Sequence, residues 1–70
     1  MKKYVAIAPE GEYLDITPGK EYPIIGIYGE KKFKYGRMFD MSDDVGFTLL
    51  CNEYNCVHLN GKNWTIKEVK

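Results

Sequence analysis

Apolar and polar positions along this chain fall into short blocks separated by turn residues, and no block carries a sustained helical period. Lys3–Ala8 alternates Val5 and Ile7 with Tyr4 and Ala6, the two-residue repeat of a first strand. Pro9–Ile16 is an acidic loop whose Leu14 and Ile16 are expected to fold back onto the core. Thr17-Pro18-Gly19-Lys20 then opens a β-branched and aromatic run from Lys20 to Tyr28, the second strand. Its Ile24-Ile25-Gly26-Ile27 breaks strict alternation, and a glycine there marks a bulge or a sharp bend. Gly29–Gly36, the most charged segment, reads as a loop or hairpin tip. Arg37–Met41 and Phe47–Cys51 are the third and fourth strands, joined by Asp43-Asp44-Val45-Gly46. Gly46 suits the left-handed position that ends a hairpin loop built on a type I turn plus bulge. Asn52–Asn60 has room for one helical or 3-10 turn. Asn60-Gly61-Lys62-Asn63 delivers the last strand, Trp64–Val69, with Trp64 and Ile66 at strand spacing in the core.

The prediction is an all-β fold over one domain, residues 1–70: a small five-stranded antiparallel barrel with a short helical or 3-10 turn before the last strand. This order of strands, with a long first loop and a tight hairpin between strands three and four, resembles the Src-homology-3-like (SH3-like) barrel. More narrowly, Leu14, Thr17-x-Gly19-Lys20-x-Tyr22, Asp43-Asp44-x-Gly46 and His58-Leu59-Asn60-Gly61 followed by Trp64 look like small uncharacterised proteins of bacteriophages and prophages. That resemblance implies a role in host takeover or counter-defence. It does not extend to a proline-rich-peptide groove, since Tyr13 is a single ring in the relevant loop.

Composition narrows the partners. A core of 70 residues rarely supplies more than about 3–5 kcal/mol unaided. Six tyrosines, three phenylalanines and a tryptophan nevertheless mark a folded domain rather than a disordered tail. Ten basic residues balance ten acidic ones, so no global field steers the chain to nucleic acid or an anionic membrane. Zero net charge, the small core and the aromatic content together favour self-association as a homodimer. Met1-Lys2-Lys3 is followed by no apolar h-region, and no apolar run approaches the roughly 20 residues of a membrane span. The expectation is a cytoplasmic protein in which Cys51 and Cys56 stay reduced.

Candidate chemistry is sparse. Cys51, Cys56 and His58 offer thiolate and imidazole groups for zinc, but a fourth ligand and a second ligand pair are missing. The same residues could form a nucleophile–base pair if extended Cys56-Val57-His58 turned both side chains one way. Core packing explains the cysteines better, so neither an enzyme, a metal nor a cofactor is expected. Asp43-Asp44, with Asp40 nearby, is read as a turn rather than a calcium loop. The segment Lys31-Lys32-Phe33-Lys34-Tyr35-Gly36-Arg37 is the sharpest feature, with cations interleaved with rings. Lys31, Lys32, Phe33, Lys34, Tyr35 and Arg37 are therefore the candidate binding residues. The sequence points to a non-enzymatic module that binds an unidentified protein partner. The first alternative is a nucleic-acid-binding barrel using residues 31–37, and the second a zinc-stabilised or thiol-active protein.

Overall fold

A computed structural model describes residues 2–70. Five strands follow one another: β1 (Lys3–Ile7), β2 (Glu21–Tyr28), β3 (Met38–Ser42), β4 (Thr48–Asn52) and β5 (Thr65–Val69). A single 3-10 turn, Val57–Leu59, precedes β5. All pairings are antiparallel, in the order β4-β3-β2-β1-β5.

The bend that makes this sheet enclose a core is in β2. Its first half pairs with β1, Val5 opposite Pro23, and its second half pairs with β3. Between Ile24 and Gly26 the register slips, which is the bulge the glycine announced. A Cβ on Gly26 would lie 2.5 Å from the Tyr28 hydroxyl, so the bare glycine lets that ring lie along the strand and donate to Asp40 Oδ2 at 2.9 Å. On the other side of β1, the β5 ladder joins Lys3 to Val69. β4 and β5 share no ladder among the described residues; one backbone bond, Trp64 N–H to Glu53 C=O at 2.8 Å, draws the ends of the sheet together.

Both halves of the bent sheet send side chains inward. Ala6 and Tyr22 come from one half, Phe39, Met41 and Cys51 from the other, with Ile16, Cys56, Leu59 and Trp64 between them. Trp64 meets Phe39 and Tyr22 edge-on, with ring centroids 5.5 and 6.2 Å apart, a favoured aromatic geometry. Trp64 is therefore the core residue its spacing predicted. Its buried Nε1–H lies beside the Cys56 thiol, whose ionised form it favours. In β1 the inward residue is Ala6, while Val5 and Ile7 are half-buried on the other face. The small methyl leaves room for the rings.

One expectation about the core fails. Ile16 is buried, but Leu14 is 88 % exposed. Asp15 between them has φ 59°, and this left-handed residue turns the chain so that Leu14 and Ile16 point apart. Tyr13 anchors the loop instead, donating to the carbonyls of Pro9 and Glu10 at 2.9 and 3.1 Å while its ring packs on the core.

The hairpin between β3 and β4 closes as the turn residues predict. Asp43 Oδ1 accepts from the N–H groups of Val45 and Phe47, and Gly46 takes φ 91°. Asp44 reaches further. Its carboxylate accepts from Thr17 Oγ1 at 2.7 Å, Lys20 Nζ at 2.9 Å and Tyr22 OH at 2.7 Å, tying this hairpin to the first loop. The hydrogen bond from Lys20, then those from Thr17 and Tyr22, hold the Asp44 carboxyl down at about 2.

Two outcomes follow for stability. Open space surrounds Gly46, so Gly46→Val tests the backbone alone; it should destabilise by about 1–3 kcal/mol in chemical denaturation, and an unchanged midpoint would contradict the turn. Asp44 gives up its proton more readily when folded, so its contribution is present above the ordinary value of 3.8 and is lost as pH falls towards about 2. The Tm difference between the parent and Asp44→Asn should shrink across that acidic window, and a pH-independent difference would exclude the carboxylate as its source.

Candidate functional site

Between β2 and β3 the basic–aromatic segment folds as two successive turns. Phe33 N–H donates to Glu30 C=O at 3.1 Å, and Gly36 N–H donates to Phe33 C=O at 2.8 Å. These turns leave Phe33 51 % and Tyr35 42 % exposed. Together with Gly29, Gly36 and Met38 they line a cleft of about 230 Å³ whose surface is almost wholly apolar, with Lys34 and Asn52 completing it. Met38 stands opposite Tyr28 in one ladder and Asn52 in the other, so the cleft runs onto the outer face of the sheet.

The loop is held by an ion pair. Glu53 is only 3 % exposed and is the one buried charged residue among those described. Arg37 donates to it from Nε to Oε1 and from Nη2 to Oε2, both at 3.0 Å, and its backbone N–H adds a bond to Oε1 at 3.1 Å. Burial pushes the Glu53 carboxyl up, but the Arg37 side-chain and backbone bonds and the guanidinium charge outweigh it and hold the carboxyl below its usual range. The Glu53 N–H donates to Arg37 C=O and the Tyr54 N–H to Tyr35 C=O, extending the β3–β4 pairing to the cleft. Gly36 is obligatory here: it has φ 68°, and a Cβ would lie 2.8 Å from Glu53 Cβ.

The six candidate binding residues therefore separate. Phe33, Lys34 and Tyr35 line the cleft. Lys31 and Lys32 are exposed on the same turns, and Lys32 pairs with Glu30 at 3.3 Å. Lys34 Nζ sits 5.4 Å from the Tyr35 ring centroid, a cation–π distance. Arg37 must be removed from the surface set: it precedes β3 and its fork is committed to Glu53. Met38, Gly29 and Asn52 belong to the cleft but were not singled out from the sequence. Only the ladder register brings Tyr28, Met38 and Asn52 side by side, and a single sequence does not display it.

Cys51 and Cys56 lie within hydrogen-bonding reach of each other, but the His58 imidazole does not join them. His58 Nε2 lies 3.2 Å from Leu50 C=O, a carbonyl that can only accept, so this nitrogen carries the proton and caps the edge of β4. The extended geometry that would align His58 with Cys56 is replaced by the 3-10 turn. Both cysteines are buried. The Cys51 thiol is pushed up by its hydrogen bond to Cys56 and by burial; Cys56 is pulled down as the acceptor, yet it too is sealed in the core. No group of three or more His, Cys, Asp or Glu side chains suited to a metal ion occurs among the described residues. Among the described residues no helix is long and apolar enough to cross a membrane.

Comparison of the chain with protein families, with curated proteins and with solved structures finds no match.

Removing Arg37 strands the buried Glu53 carboxylate. Arg37→Met should cost about 3–5 kcal/mol and leave the domain largely unfolded, whereas Arg37→Met with Glu53→Leu should recover much of that loss. Denaturation of both variants checks this. A stable single variant would show that the pair does not hold the loop.

Proposed function

We propose that this protein is a non-enzymatic binding module that takes a segment of another protein in the cleft beside β3. The observation that carries the reading is the apolar cleft lined by half-exposed Phe33, Tyr35 and Met38. Exposed rings grouped around a concavity on so small a domain are the mark of an interaction site rather than of scattered surface apolarity. The commitment of the His58 imidazole to Leu50 C=O, with both thiols buried, supports the non-enzymatic reading. The bent second strand and the sheet order support an SH3-like small barrel, with a binding surface formed by its loops. The turn-residue likeness to phage proteins favours a bacterial host protein as partner.

The nucleic-acid alternative loses support with Arg37. Lys31 and Lys34 are the segment's cations without an ion pair among the described residues, and single-strand binding needs a charged groove that tracks several phosphates.

Capture from bacterial lysate, with and without nuclease, tests the reading when the parent is compared with Tyr35→Ala. A protein retained after nuclease by the parent and lost by the folded variant is the expected result. Retained material that disappears with nuclease would instead assign the loop to nucleic acid. Equal capture by both proteins would remove the cleft from function.

A further inference from the structure

We infer, resting on that binding role, that the cleft takes an acidic linear peptide segment that inserts one large apolar side chain between flanking carboxylates. The first argument is size. A volume of about 230 Å³ falls below the roughly 300–1,000 Å³ of sites for whole small molecules, so it suits one side chain. The lining fixes the type of side chain: Phe33, Tyr35 and Met38 offer ring faces and a polarizable thioether, and the cleft surface is almost wholly apolar. Asn52 supplies the one side-chain amide on the cleft, suited to a peptide group of the bound segment.

Charge supplies the second argument. The chain is formally neutral, yet the two turns hold Lys31, Lys32 and Lys34 against Glu30 alone. That local surplus of two positive charges is balanced by an excess of carboxylates elsewhere, so the molecule is polarised towards this loop. The Lys32–Glu30 bridge is exposed and weak, and yields readily to a competing carboxylate. Lys31 and Lys34 make no salt bridge among the described residues, and the Tyr35 ring holds the Lys34 ammonium at the cleft. Carboxylates on either side of an inserted side chain would meet these ammonium groups. A polyanion lacking an apolar anchor leaves the cleft empty and meets repulsion from the remaining surface. A basic segment is repelled at the rim.

Fluorescence anisotropy with the full chain tests this through three labelled pentapeptides: Glu-Glu-Phe-Glu-Glu, the same with Ala at the centre, and Lys-Lys-Phe-Lys-Lys. The first should bind and the third should not; the central Ala should weaken binding by about tenfold or more, the loss of one buried apolar side chain. Lys31→Gln with Lys34→Gln should weaken the first peptide about three- to tenfold and flatten its salt dependence, as for exposed charges. Tyr35→Ala should weaken it about tenfold in a protein of unchanged far-ultraviolet spectrum, as for a truncated interface anchor.

The two levels of inference fail differently. Should the lysate partner be lost by Tyr35→Ala but kept by the double Gln variant, the binding role stands and the acidic segment is overturned. Tighter binding of a single-stranded oligonucleotide than of the acidic peptide also overturns it. So does a dimer in sedimentation that Tyr35→Ala dissolves, because the occupant is then a second copy of the chain.

Discussion

The pairing of Arg37 with the buried Glu53 carboxylate is the constraint around which this small domain is arranged. A carboxylate in so small a core is stable only when both its oxygens are satisfied, and the guanidinium fork together with a backbone N–H does this. The requirement places Arg37 immediately before β3 and Glu53 immediately after β4. It forces a glycine at 36, because a side chain there would occupy the space of Glu53. Through its backbone, Glu53 also receives Trp64, the centre of the aromatic core, and so joins the ends of the sheet. One interaction thereby links the loop that carries the cleft to the packing that stabilises the fold.

This coupling divides a motif that looks uniform in sequence. Residues 31–37 read as a single basic–aromatic stretch, but its last cation is an internal support and the others are solvent-facing. The division changes the chemistry expected of the loop. With the guanidinium committed to Glu53, the loop keeps ammonium groups, which are point charges lacking the flat bidentate fork that suits carboxylate and phosphate alike. We propose that the apolar cleft, not the cations alone, sets the ligand.

Local chemistry was legible in the sequence where a residue type has one structural use. Gly46 and Asn60-Gly61 marked turns, Gly26 marked the bend, and the strands lie within about one residue of their expected limits. Asn60 and Gly61 do take successive left-handed conformations, φ 56° and 87°, and return the chain to Trp64. What stayed hidden depends on partners distant in sequence. Arg37 and Glu53 are sixteen residues apart; nothing local distinguishes Arg37 from a solvated cation. Asp44 looked like half of a turn, and its bonds to Thr17, Lys20 and Tyr22 come from another loop. Leu14 misled for a related reason, because an aspartate at 15 rarely signals the left-handed turn it adopts here.

The ladder between the first and last strands has a consequence for biosynthesis. Lys3 pairs with Val69, so the sheet cannot be completed until Val69 has been made and has cleared the ribosome. Until then the nascent chain exposes the outer edge of β1 and the core rings that Trp64 covers. Contacts this distant in sequence slow folding relative to a helical domain of similar length. Short strands and Lys3 on β1 help limit mispairing in that interval.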